Sequence, residues 1–456
     1  MGHPSTMEQL GPFDPMAFLR TYTIMMLCFP VEENVDCSKA ISILESACQS
    51  LTRAIPFLTG QVKYDPDQPG EQFKSGLCHV VPYEHPNGSL LRIKHLSSDF
   101  PAYHEISKAR APSAMLDGSL LSPEKGLPDH PTDADTCPVL VIQANFVRGG
   151  LFLCFAGMHN IVDGNGLGQI IRMFAISCRG ESIFEADIRA AYLDRGKYIP
   201  PLKPEETPLE HLDLRIDPKK VKEPEQHSQS PPMLWTYFRF SAPKLANLKA
   251  DASKECPPDS WITTNDAVSA LLWKAITKAR SSHLNITDNT TLLRAVNGRR
   301  FLRPPIPDAF LGNTVQCASI YLPIKALIEE MSISAITLLI RRVTLQINDF
   351  FIRSLATLLR NEPDKRTIGY DVKHPERDFV VSSWADLPVY PEGGFGPLLG
   401  MPEFVRRPKL TPCEGLAYLM PKDPHGNIDL AIALRESDLK ALETDAEWMN
   451  YAEYIG

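Results

Sequence analysis

The chain has 456 residues, 43% hydrophobic and 22% charged, which suits a folded protein and excludes disorder on a large scale. That length exceeds what one core usually organises, so two domains of similar size are expected. A net charge of -8, from 47 Lys and Arg against 55 Asp and Glu, excludes a general affinity for nucleic acid or for an anionic membrane.

The opening stretch, MGHPSTMEQLGPFDP, has no basic region followed by an apolar one, so no secretory signal is expected. Residues 22 to 31 read as a buried strand, and Cys37 to Ile55 carries Ile41, Leu44, Ala47, Cys48 and Leu51 at helical spacing until Pro56 stops it. Val139 to Phe146 and Leu151 to Met158 read as two strands of a hairpin joined by Arg148, Gly149 and Gly150. The second of these is the longest apolar run, and it is far short of the roughly 20 residues of a membrane span. Leu167, Ile170, Ile171, Phe174 and Ala175 then form the core-facing stripe of a helix.

From Gly196 to Pro232 the composition turns to Pro, Lys, Glu and Ser, as an extended connection would. The expected division is therefore 1–195, a crossover over 196–232, and 233–456. Thr236 to Ser241 alternates like a strand, and Thr263 to Asp266 carries capping chemistry ahead of a helix over Ala267 to Arg280. The ten cysteines include no CxxC pair and no close cluster. No metal site is expected, and free, mostly buried thiols in a reducing, cytoplasmic setting are.

One motif carries chemistry. His159-Asn160-Ile161-Val162-Asp163-Gly164 is an HxxxDG segment, but the bare HxxxD pattern is weak, because four occur where about 0.7 are expected by chance. The others pair His95 with Asp99, His374 with Asp378 and His425 with Asp429. Only His159 ends an apolar strand and leads through a glycine-rich turn into an amphipathic helix, where a rigid site can be built. A neutral imidazole there can take a proton from an attacking alcohol, an effect worth about 10²- to 10⁴-fold.

Around this motif the chain resembles the BAHD acyltransferases, and within them the fungal branch that includes the trichothecene acetyltransferases. The matching segments are LGPFDP at residue 10, PFLTGQV at 56, HNIVDG, TTNDAVSALLWKA at 263, VNGRRFLRPPIPDAFLGN at 296, and VSSWADLPVY leading to GGFGPLLGMP. The resemblance implies an α/β fold of two chloramphenicol-acetyltransferase-like domains with the site in a channel between them. It implies transfer of an acyl group from acyl-CoA, expected to be acetyl-CoA, to a hydroxyl or amine of a secondary metabolite, by a monomer that holds no bound cofactor. His159 would be the general base, Asp163 structural and paired with Arg299, and Gly164 the residue that permits the turn. Ser382, Trp384 and Asn313 would contact the oxyanion or acyl-CoA, and Phe395 and Gly396 would form a tight turn.

Two departures stand out: Gly394 replaces the Asp of the family's DFGWG, and Asn297 the Asp that precedes its arginine. Each removes a carboxylate; the resemblance implies that these positions tie loops together remote from the acyl group, so altered loop pairing and not lost catalysis is expected. Trp273 reads as a core aromatic. Arg299, Arg300 and Arg303 read either as a solvated basic face or as a contact for the phosphates of coenzyme A. Two rival functions share the motif: a condensation domain fed by a carrier protein, and a non-catalytic partner of another acyl-processing enzyme.

Overall fold

A computed structural model describes residues 10–32, 37–66, 76–96, 100–132, 135–217, 231–370 and 374–456. Asp99 and residues 218–230 of the expected crossover lie outside these.

The first half builds a sheet from its most apolar runs. Strand β1 (Tyr22–Pro30) is buried along its length except at Pro30. The short strand β2 (Gln61–Tyr64) pairs with β3 (Cys78–Val81) on one side and β5 (Cys137–Pro138) on the other in a small three-stranded sheet. Strand β4 (Leu91–His95) runs parallel to β6 (Leu140–Val147), and β6 turns through the expected hairpin into β7 (Gly150–Met158), with Val147 opposite Gly150. Both β6 and β7 are buried at every position, which explains why they read as continuous apolar runs rather than alternating ones. The longer helices of this half are α1 (Cys37–Ala54), which buries Ala40, Leu44, Ala47, Cys48 and Leu51, and α2 (Gly164–Cys178). Phe174 of α2 meets Phe155 of β7 edge to face at 5.4 Å.

The second half repeats the grammar. Its strands are β8 (Met233–Phe240), β9 (Asn289–Asn297), β10 (Val315–Pro323), β11 (Phe379–Ser383), β12 (Phe404–Arg406), β13 (Leu416–Leu419), β14 (Ile428–Arg435) and β15 (Glu453–Tyr454). Seven of them form one sheet in the order β10-β9-β11-β13-β14-β8-β15. Strand β12 does not join it. It crosses back to pair antiparallel with β1, so the first sheet reads β12-β1-β7-β6-β4. Arg406 locks the exchange: its guanidinium donates to the carbonyls of Arg110 and Ala111 and to Asp429 of β14.

Helices α3 (Ala242–Ala252), α4 (Thr264–Ala279) and α5 (Ile333–Thr344) cover one face of the second sheet. Helix α4 starts at the capping box foreseen in the sequence, with Thr263 and Asp266 each bonding the other's backbone N–H. Trp273 is fully buried there and donates to Thr290 at 3.1 Å. Alternation along β13 divides the two cores: Ala417 and Leu419 face these helices, whereas Leu416 and Tyr418 join the core of the first half. The second sheet thus lays its other face on the unit that carries His159. The closing helix is broken in two at Asp445, whose side chain caps Trp448. No helix among the described residues is long and apolar enough to cross a membrane.

Candidate active site

His159 follows directly on β7, and its N–H extends the ladder by donating to the carbonyl of Thr21 at 2.8 Å. The chain then turns, and Asp163 caps α2 by accepting the N–H of Gly166 at 2.8 Å. The same carboxylate meets Arg299 in a bidentate pair, Nη1 to Oδ2 at 2.8 Å and Nη2 to Oδ1 at 2.9 Å, with both side chains 0% exposed. Arg299 also donates to the carbonyls of Phe310 and Gly312, each at 2.8 Å, and to the Thr314 hydroxyl at 2.9 Å. Its role is to clamp residues 310–314 of the second half against the histidine turn. This removes Arg299 from both readings of the basic run, since a side chain sealed on a carboxylate is neither solvated nor open to phosphates. Arg300, 72% exposed, stays on the surface.

The clamp delivers Asn313 to the imidazole. Asn313 Oδ1 lies 3.2 Å from His159 Nδ1, while Asn313 Nδ2 donates to Asp14 Oδ1 at 2.9 Å and to the carbonyls of His159 and Asn160 at 2.8 and 3.0 Å. Because the amide nitrogen faces only acceptors, Oδ1 is the end that faces the ring, and His159 Nδ1 must carry the proton. The imidazole is then the neutral Nδ1–H tautomer with its Nε2 lone pair free, and among the described residues Nε2 has no hydrogen-bond partner. Burial pushes the His159 pKa below the ordinary imidazole value; its own carbonyl, Asp163, Asn313 and Asp14 oppose that shift. Asn313, expected to contact the oxyanion or acyl-CoA, instead sits behind the imidazole, buried, with both ends of its amide engaged.

Ser382 lies on β11 of the second sheet, and Trp384 directly follows that strand. The indole of Trp384 is buried, packs on Tyr418 at a ring distance of 4.7 Å, and places Nε1 3.5 Å from where a β-carbon on Gly164 would stand. Ser382 lies opposite Tyr418 on β11, hence on the same face of the sheet, toward the histidine unit. Its hydroxyl has no hydrogen-bond partner among the described residues.

Gly164 was expected to permit the turn, but it starts α2 without a left-handed φ, and a β-carbon there would meet nothing closer than that indole. Gly166 is the tight position, where a β-carbon would fall 2.8 Å from the carbonyl oxygen of Leu311. Phe395 and Gly396 lie away from the histidine turn, beside the far end of α2, with Phe395 edge to face on Phe29 and Gly396 at φ +90°. Gly394, in place of the family's Asp, has φ +56°, and a β-carbon on it would sit 2.5 Å from the carbonyl oxygen of Gly400. Its own carbonyl accepts from Arg179 at 2.8 Å. Asn297, the other departure, accepts from the backbone N–H of Arg299 at 3.1 Å and from its Nη1 at 3.2 Å, so a neutral amide supports the guanidinium that Asp163 already neutralises. Among the described residues no group of three or more His, Cys, Asp or Glu could hold a metal ion.

Asp14 and Arg195, which no motif in the sequence marks, form a second buried ion pair, 3.1 Å apart and 1% and 2% exposed, directly behind Asn313. A lone carboxylate inside LGPFDP, among Leu, Pro and Phe, was the available sign of a buried acid.

Comparison with known proteins decides the family. Residues 122–449 match the Transferase family, and residues 21–178 match the trichothecene 3-O-acetyltransferase-like N-terminal domain. The chain belongs to the BAHD transferase family. It is an acyltransferase. It is 37% identical to the O-acyltransferase pigD of Monascus ruber over 97% of each chain, and 30% identical to the trichothecene 3-O-acetyltransferase TRI101 of Fusarium sporotrichioides over 99% of this chain and 97% of that one. The fold is similar to the crystal structure of F. graminearum TRI101 complexed with coenzyme A and deoxynivalenol, with a TM-score of 0.88 and 29% identity over 99% and 100% of the two chains. The F. sporotrichioides TRI101 structure with coenzyme A and T-2 gives a TM-score of 0.86 over 98% and 99%.

Proposed function

We propose that this BAHD acyltransferase moves an acetyl group from acetyl-CoA to a hydroxyl of a secondary metabolite in a ternary complex, with His159 as general base. The observation that carries the reading is the free Nε2 of an imidazole whose Nδ1 is held by Asn313. Nε2 takes the hydroxyl proton as the acceptor oxygen attacks the thioester carbonyl. The carbon–oxygen bond forms, the thioester carbon–sulfur bond breaks, and the departing thiolate recovers the proton from the imidazolium. Ser382, on the sheet face toward the histidine unit, and Trp384, beside Gly164, are the groups we assign to the tetrahedral oxyanion. Asp163 and Arg299 hold the loop and do not exchange protons with substrate.

In this reading residues 1–195 carry the base, 233–456 carry the oxyanion side, and 196–232 connect them. Acyl-CoA and acceptor reach the half-buried His159 through opposite mouths of a channel between the two. We take the enzyme to be a cytoplasmic monomer, a setting that suits ten cysteines with no CxxC pair and no close cluster.

The test is thiol release from acetyl-CoA by purified protein against a panel of metabolite alcohols and amines, beside His159→Ala and the control His374→Ala. Acceptor-dependent release should fall about 10²- to 10⁴-fold in His159→Ala only. Release that survives that substitution refutes the base. Turnover only with an acyl-loaded carrier protein identifies the condensation-type rival instead.

A further inference from the structure

We propose that Asp14 is a positioning residue for the transfer, holding Asn313 so that its carbonyl end faces His159 and only the Nδ1–H tautomer is allowed. This inference rests on the reading of His159 as base.

An asparagine amide has two ends of nearly equal shape, and exchanging them here would reverse the chemistry. Turned round, Asn313 Nδ2 would donate to His159 Nδ1 in competition with the ring's own bond to the His159 carbonyl, and a ring so engaged would carry its proton on Nε2 with no lone pair left to take a proton from an alcohol. What prevents the exchange is the set of acceptors around Nδ2. Two are backbone carbonyls, those of His159 and Asn160. The third is the Asp14 carboxylate, the only charged one. Bonds to an ionised acceptor are roughly twice as strong as neutral ones, and the amide has two hydrogens for three acceptors. Asp14 Oδ1 also accepts the backbone N–H of Asn313 at 3.2 Å, so it fixes the residue's position as well as its orientation.

Asp14 is itself held from every side. Oδ2 accepts from the N–H of Gly11 at 2.7 Å and from Arg195 Nη1 at 3.1 Å. Its backbone carbonyl accepts from Asn160 Nδ2 at 2.5 Å, and Asn160 in turn accepts from the Tyr64 hydroxyl at 2.6 Å. Arg195 also donates to the carbonyl of Ile161 at 2.8 Å, inside the histidine motif. Asp163 with Arg299 and Asp14 with Arg195 therefore form two ion pairs at the same turn, the first bringing in the second half of the chain through Arg299 and the second lying wholly within the first half. The first secures the loop, and the second orients the amide that reads the ring.

The test labels the full chain with [15N]histidine and records the tautomer of His159 from two-bond proton–nitrogen correlations at pH 8, the resonance being assigned by its loss in His159→Ala. The native enzyme should show Nδ1–H alone. Asp14→Asn should show a mixture with Nε2–H, kcat lowered about 10- to 100-fold, and KM for both substrates within about twofold of native. Should Asp14→Asn strand the Arg195 charge and fail to fold, Asp14→Asn with Arg195→Gln removes both charges at nearly constant size and takes the same measurements. A folded variant that keeps the single Nδ1–H tautomer overturns the proposal, whatever its turnover, because the two carbonyls would then suffice. Retained transfer in His159→Ala would instead overturn the base itself, and the tautomer spectrum reads Asp14 independently of that result.

Discussion

His159 is chosen over three other HxxxD histidines by what stands around it, and the described residues give the carboxylates of two of these other work. Asp378 accepts the backbone amides of His374 and Thr291, and Asp429 is held by Arg239 and Arg406. Those carboxylates fold loops and strands. The depressed pKa of His159 has a kinetic consequence whose sign is determined. The base works when neutral, and burial favours the neutral form, so protonation should inhibit only below the ordinary imidazole value of about 6.5. We expect the acid limb of kcat/KM, measured at saturating acetyl-CoA, to have its midpoint below that value; a midpoint above it would contradict the burial of the ring. The same shift means that the unfolded chain binds this proton more readily, so the stability contributed by His159 falls as pH drops from about 6.5 toward its folded pKa. Asp14 escaped the sequence reading for a physical reason. It lies 145 residues before the histidine, and only the folded chain brings the two ends of that separation together.

At the scale of elements, the strands and helices with the strongest periodicity were legible: β1, the β6–β7 hairpin, α1, α2 and the capped start of α4 all stand where apolar spacing and capping residues put them. Glycine function was not, because a glycine's meaning depends on what faces it. Gly166 packs α2 against the segment that carries Asn313, whereas Gly164 faces only the indole of Trp384. Gly166→Ala should therefore destabilise the protein by about 1–3 kcal/mol and lower activity, as backbone must shift to admit a methyl. Gly164→Ala should change stability by less than about 1 kcal/mol, with alanine the better helix former at that position. Thermal unfolding of the two variants side by side checks the assignment, and equal losses would refute it. Strand β12 was also illegible: three residues, FVR, carry no period, and their place is set by a partner 376 to 380 residues earlier in the chain.

The whole molecule is bound together by that exchange. The first sheet is completed by residues of the second half, Arg406 ties both halves to itself, and Leu416 and Tyr418 of the second sheet lie in the first half's core. We therefore expect one transition in urea, with near-UV dichroism and tryptophan fluorescence superposing. Two separated transitions would show that the halves are independently stable. The exchange also orders events at the ribosome. Once β7 has been made, β1 has its partner on one side, yet its other edge, rich in Met, Leu and Phe, lacks a mate until Phe404 emerges. At about 5–20 residues per second that is a wait of roughly 12–50 s for an apolar strand edge, the kind of surface on which nascent chains join one another. Yield in the cell should thus depend less on the final stability of the enzyme than on what shields β1 during synthesis.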